Sequence, residues 1–220
     1  ALSGPNVDLP KATLIKASGV QTALDSVVRV EGTSSSCTMR MTGTGFAAGK
    51  GLVLTNAHVV AGTDHVAVRI RGVGRLYTSR VIYFDPAADV AVLRVPGLPV
   101  DPLEIGEVAP RGTGVVIAGF PGGGKLSITL GAVRRVDVAS GTDIYGKGAI
   151  KRKVYVLRSD IKKGDSGAPL IARDGTVIGM VFASSATDAT TGYALGSDEL
   201  AGVVSLNPKS ATVSTGACTS

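Results

Sequence analysis

The chain has 220 residues, of which 44% are hydrophobic and 18% charged, and it carries a net charge of +6. That balance excludes a disordered chain and admits one large domain or two small ones sharing a core. The lack of Trp and the few Phe and Tyr leave little stacking surface for single-stranded nucleic acid, and nothing in the basic pattern singles out nucleic acid as a partner.

Residues 1–26 begin polar and proline-marked, then show a weak helical spacing at Leu14, Ile15, Val20 and Leu24. From Val27 the period changes to that of half-buried strands: Val28 and Val30, then Cys37, Met39 and Met41. Leu52–Leu54, Val66–Ile70, Val81–Phe84 and Val90–Leu93 continue the series between Gly-rich or polar turns. Four prolines between Pro96 and Pro110 break any ladder, because proline lacks the N–H donor, so residues 96–112 are expected to link two units.

Strands resume at Val115–Ala118, Leu126–Leu130, Val133–Val138, Val154–Leu157, Pro169–Ala172 and Val177–Ala183, with Arg173-Asp174-Gly175 as a hairpin turn. Ser197 is expected to cap a short closing helix. Many short strands and 30 glycines, roughly double the usual share, predict an all-β chain of two antiparallel halves. The expected division is an N-terminal segment 1–26, a first barrel 27–95, a linker 96–112, a second barrel 113–204 and a tail 205–220.

Cys37 and Cys218 fit neither a metal spacing nor a redox C-x-x-C motif. They are either two buried thiols or one disulfide tying the tail to the first half. The disulfide is favoured, because a cysteine so close to the end rarely has a packing reason, and it implies an oxidising, extracytoplasmic setting. No apolar run approaches a membrane span, and the start at Ala1 reads as a processed or excised segment with any anchor outside this chain. Basic residues cluster from Arg69 to Arg80 and from Arg134 to Lys153. They form either a solvated surface or an attraction for an acidic partner such as a membrane or an anionic wall polymer.

Gly164-Asp165-Ser166-Gly167 carries the chemistry. A serine becomes a nucleophile only with a neighbouring base and a cradle for negative charge, and flanking glycines let the backbone turn so that amide N–H groups face that charge. Only two histidines exist, His58 and His65, and both precede Ser166. An α/β-hydrolase needs its histidine after the serine, and the elbow G-x-S-x-G fails at Ala168. The two histidines lack H-E-x-x-H and a third ligand at a suggestive spacing, so neither a metal nor another cofactor is expected. The order His58, Asp89, Ser166 is instead that of the chymotrypsin class.

Gly43-Thr44-Gly45-Phe46, Leu54–Val60, Asp89–Leu93, Gly164–Leu170 and Gly175–Gly179 resemble the trypsin-like serine proteases, specifically the bacterial HtrA-like branch. The tail and lone cysteine pair look like the extracytoplasmic protease domains of actinobacterial acid-resistance proteases, which sit behind several membrane helices. The resemblance implies two six-stranded antiparallel β-barrels and a serine endopeptidase acting on protein or peptide, linked to acid or envelope stress. It implies Ser166 as nucleophile, His58 as base, Asp89 as its partner in preference to Asp85 or Asp64, and the N–H groups of Gly164 and Ser166 as an oxyanion hole. Substrate would pair with the strand ending in Phe182-Ala183-Ser184. The pocket before the scissile bond would be lined by the stretch from Asp160 to Lys163, with Lys162 within it, and by Gly192-Tyr193-Ala194.

Asp165, without an apolar N-terminus to pair with, needs another partner or stays solvated. Because an ordinary imidazole titrates near 6.5, a histidine base implies activity that weakens in acid. The rival is an inactive protease-fold module that binds an anionic envelope surface.

Overall fold

The computed structural model describes residues 6–37, 40–207 and 209–219. Strands β1 (Val27–Thr33), β2 (Arg40–Gly49), β3 (Leu52–Thr55), β4 (His65–Ile70), β5 (Tyr77–Asp85) and β6 (Val90–Arg94) close one antiparallel barrel in the order β1-β2-β3-β6-β5-β4. Strands β7 (Gly114–Gly119), β8 (Ser127–Gly141), β9 (Ile150–Arg158), β10 (Pro169–Ile171), β11 (Val177–Ser184) and β12 (Thr191–Gly196) close a second in the order β10-β11-β12-β9-β8-β7. Three short α-helices accompany them among the described residues: α1 (Ser18–Leu24), α2 (Ala57–Val60) and α3 (Ser197–Ala201). The two expected six-stranded barrels are present.

Each barrel closes over its own aliphatic core. Val28, Val30, Val53, Val68 and Leu93 fill the first, and Val115, Ile117, Tyr155, Leu157 and Leu170 the second. A third cluster joins them, with Phe46, Leu54 and Val92 of the first barrel against Met180, Leu195 and Leu200 of the second. Strands covered on both faces read as continuous apolar runs, which is why Leu52–Leu54 and Val90–Leu93 show no alternation. Each fully buried aliphatic side chain contributes roughly 1.5–3 kcal/mol. Helix α1 docks Val20, Ala23 and Leu24 on Val116, Ala118 and Ile171, so the segment before β1 packs against the second barrel. Between the barrels, Leu103 N–H bonds Ala47 O of the first, while Gly106 N–H bonds Val177 O of the second.

Several expectations are corrected. Cys37 lies in a bend outside β2, which begins at Arg40, and Met39 falls outside the described residues. The separate strands at Leu126–Leu130 and Val133–Val138 are one long β8, because Gly131 and Ala132 pair with Val115 and Gly114 without a break. Its far end leaves Val138 exposed. Strand β12 was not foreseen; Gly192 and Gly196 interrupt its apolar pattern, and pairing with β9 and β11 alone makes it a strand. Ser197 is the first residue of α3, and the cap position is Gly196.

Cys37 and Cys218 form a disulfide with Cα atoms 5.9 Å apart. The tail approaches it along the first barrel: Val213 N–H bonds Val81 O, Thr215 Oγ1 donates to Thr63 O, and Gly62 N–H donates to Thr215 O. No helix among the described residues is long and apolar enough to cross a membrane. A bridge spanning 181 positions removes much unfolded-chain entropy, worth about 5 kcal/mol as an upper value. Reduction, or replacement of both cysteines by serine, is therefore expected to lower the melting temperature clearly. An unchanged melting curve would contradict this.

Candidate active site

β3 leads through Asn56 into α2, whose single turn carries His58. Opposite stands Asp89, the residue before β6, 3% exposed and held at φ 58°, a left-handed conformation that a non-glycine residue adopts at a cost. Three contacts hold it there. Asn56 Nδ2 donates to its carbonyl at 2.9 Å, the His58 backbone N–H donates to Oδ1 at 3.0 Å, and His58 Nδ1 lies 3.0 and 2.8 Å from the two carboxylate oxygens. A carboxylate only accepts, so neutral His58 must carry its proton on Nδ1. The lone pair then sits on Nε2, at the other side of the ring. Asp85, a rival for the acid, spends Oδ1 on the N–H groups of Ala87 and Ala88; Asp64 bonds Ser35. Neither meets His58. His65 opens β4, on an exposed strand end.

The Ser166 turn belongs to the second barrel but is fixed by the first. Thr44 N–H donates to Ser166 O at 2.8 Å, and buried Thr44 Oγ1 donates to Gly164 O at 2.8 Å while accepting Phe120 N–H at 3.1 Å. Thr55 Oγ1, on the strand that leads to His58, donates to Thr44 O at 2.7 Å. Gly43 sits between the two halves: a Cβ there would lie 2.7 Å from Val59, the neighbour of His58, and 3.2 Å from Ser166 O.

The glycines of the motif are required by both conformation and space. Gly164 has φ +104° and its missing Cβ would strike Phe120 O; Gly167 has φ +88° and its Cβ would strike Thr44 O. Lys163 O accepts Gly122 N–H at 2.7 Å, and Asp165 O accepts Ala168 N–H at 2.9 Å. In a trans peptide the N–H points opposite to the C=O. Gly164 N–H and Ser166 N–H are thus turned away from those anchors, and neither has a partner among the described residues.

The residues expected around substrate divide into two groups. Asp160 is exposed and paired with Lys162 Nζ at 3.2 Å, whereas Ile161 between them is 8% exposed and packs on Gly192. Lys163 contributes its carbonyl to the turn. Phe182 and Tyr193 stack at 6.4 Å between ring centroids. β10 pairs with β11 only as far as Met180, so Phe182, Ala183 and Ser184 leave that edge without a strand among the described residues. Asn56, Thr44 and Thr55 were not singled out by the sequence. They stood inside quoted motifs, but their partners are backbone atoms far along the chain.

With this geometry in place, the comparisons agree with the resemblance. The family described as trypsin-like peptidase domain matches residues 43–180, and the chain belongs to that family. Serine protease Rv3671c of Mycobacterium tuberculosis is 39% identical over 213 residues, covering 96% of this chain and 53% of the relative. Protease Do-like 2 of Arabidopsis thaliana, chloroplastic, is 33% identical over 146 residues, covering 64% of this chain and 23% of that protein. The chain thus spans about half the length of the mycobacterial relative. The crystal structure of the active form of Rv3671c protease matches with a TM-score of 0.94 at 38% identity, covering 100% of this chain and 97% of that one. The inactive form matches with a TM-score of 0.80 at 39% identity over 90% of this chain and 96% of that one.

Asp165 resolves the question of its partner locally. Its carboxylate is buried and accepts Lys162 N–H at 2.9 Å. Burial raises its pKa above the usual carboxylate value, against the lowering effect of that bond and of the Lys162 charge. A carboxyl whose pKa is raised on folding binds more protons folded than unfolded, so its contribution to stability falls as pH rises through that value. Asp165→Asn keeps the acceptor for Lys162 N–H and removes the buried charge. The variant is expected to melt higher than the parent at pH 8, with the gap closing as pH falls. A lower melting temperature across the range would refute this.

Proposed function

We propose that the chain is the protease domain of a serine endopeptidase in which Ser166, His58 and Asp89 form the catalytic triad. The observation that carries the reading is the doubly bonded His58 Nδ1 on buried Asp89, because it commits Nε2 to act as a base. Ser166 Oγ attacks the scissile carbonyl while Nε2 takes its proton. Asp89 stabilises the resulting imidazolium, and the N–H groups of Gly164 and Ser166 receive the oxyanion. Nε2 then passes the proton to the leaving amine, and water repeats the sequence to release the acyl group.

Substrate would add as an extra strand along Phe182–Ser184, main chain to main chain, as extended peptides do on free sheet edges. With the charge of Asp160 paired and Ile161 lining the wall beside Gly192, an apolar residue before the scissile bond suits the pocket. The Cys37–Cys218 disulfide favours an oxidising compartment outside the cytoplasm. The greater length of the mycobacterial relative leaves room for an anchor outside these residues, and a role under acid or envelope stress follows the family resemblance.

A fluorophosphonate probe tests the reading, since it bonds only an activated serine. Labelling is expected on the parent chain, absent in Ser166→Ala, and reduced by orders of magnitude in His58→Ala, with all three proteins folded. An unlabelled parent would support the inactive binding module instead.

A further inference from the structure

A cavity of about 630 Å³ opens on the first barrel beside the Ser166 turn. Three arginines line it, Arg29, Arg40 and Arg69, with His65 and a single carboxylate, Glu31. Arg29 and Arg69 both bond the same oxygen of Glu31, at 2.8 to 3.0 Å. Burial alone would raise the Glu31 pKa, but hydrogen bonds from both arginines hold it below the usual value. Glu31 therefore stays ionised and neutralises one of the three guanidinium charges. Asp64, next to His65, turns its Oδ2 to Ser35. Arg40 is exposed and has no acidic partner among the described residues. Carbonyls take further N–H groups of Arg29 (Gly123 O and Gly124 O) and of Arg69 (Gly74 O), so the cavity keeps a positive surplus in which Arg40 is the arginine without a partner among the described residues.

Its position gives the surplus a direction. Thr42 and Gly123 form part of its wall and touch one another, a Cβ on Gly123 lying 3.0 Å from Thr42 Cγ2. Thr42 precedes Gly43, which faces Ser166 O, and Gly123 follows Gly122, which holds Lys163 O. The wall is thus one residue from each side of the catalytic turn. Gly167 N–H bonds Val181 O, so β11 lies across that turn from Thr44, the β2 residue next to Gly43. A peptide running antiparallel to β11 passes Ser184 before Phe182, reaches Ser166, and departs towards Thr42 and Gly123. At about 3.3–3.6 Å per extended residue, the second and third residues after the scissile bond would pass along this wall, which Thr42 and Gly123 share with the arginines.

Resting on the protease reading above, we propose that this cavity is a leaving-side subsite that selects Glu or Asp at the second or third residue after the scissile bond. A solvated basic face would attract acidic proteins without regard to position; a subsite reads one place in the sequence.

The test begins with a bond that the protein cleaves in denatured casein, located by mass spectrometry. Quenched-fluorescence peptides spanning it are made with Glu, Ala or Lys at the second and third positions after the bond. Glu is expected to raise kcat/KM about fivefold over Ala, the factor for one close charge pair in water, and Lys to lower it similarly. The spread should shrink in high salt. Arg40→Glu should remove the preference for Glu over Ala, and Arg69→Gln should weaken it. Equal cleavage of the three peptides by the parent, or a preference surviving both substitutions, overturns the proposal. Cleavage that persists in Ser166→Ala, or none in any substrate, defeats the protease reading itself.

Discussion

The two barrels meet at the hydroxyl and backbone of Thr44. This residue is fully buried and makes four hydrogen bonds: its N–H to Ser166 O, its Oγ1 to Gly164 O and from Phe120 N–H, and its carbonyl from Thr55 Oγ1. A buried hydrogen bond contributes only about 0.5–1.5 kcal/mol net, but an orphaned buried group costs about 1–3 kcal/mol. The asymmetry makes the junction exacting. Thr55 begins the segment that carries His58, and Gly164 begins the turn that carries Ser166, so one threonine sets the register between the two residues proposed as base and nucleophile.

The other half of the site is held by a conformation that costs energy. Asp89 sits in the left-handed region, which strains its backbone, and is nearly dry, so each of its polar atoms needs a partner. Asn56 and the two N–H donors of His58 offset both, and they fix which imidazole nitrogen carries the proton. On the serine side, the carbonyls of Lys163 and Asp165 are taken by Gly122 and Ala168, which leaves two amides aimed elsewhere. The site therefore arises from backbone orientation as much as from the three named side chains.

Much of this was legible in the chain itself. The apolar runs marked most strands because the barrel interior buries one face and the contact between barrels the other, and the order of histidine, aspartate and serine excluded the competing hydrolase plan. What stayed hidden was set by tertiary partners. β12 lacks a continuous apolar pattern because Gly192 makes room for Ile161, and Gly196 precedes a helix. β8 hides its length because Gly131 yields its side-chain space to Ile117 and Val115. Asn56 and Thr44 look like ordinary motif letters until Asp89 O and Gly164 O stand beside them. The single disulfide was expected from the position of Cys218, but the path of the tail over Gly62 and Thr63 depends on contacts no local pattern encodes.

The most direct measurement is the rate at which a fluorophosphonate bonds Ser166 in Thr44→Val, which keeps the shape of the side chain and removes its hydroxyl. Orphaning Gly164 O and Phe120 N–H, at about 1–3 kcal/mol each, is expected to slow the reaction roughly ten- to hundredfold in a protein that remains folded. A folded variant reacting at the parent's rate would contradict the claim that Thr44 sets the Ser166 turn.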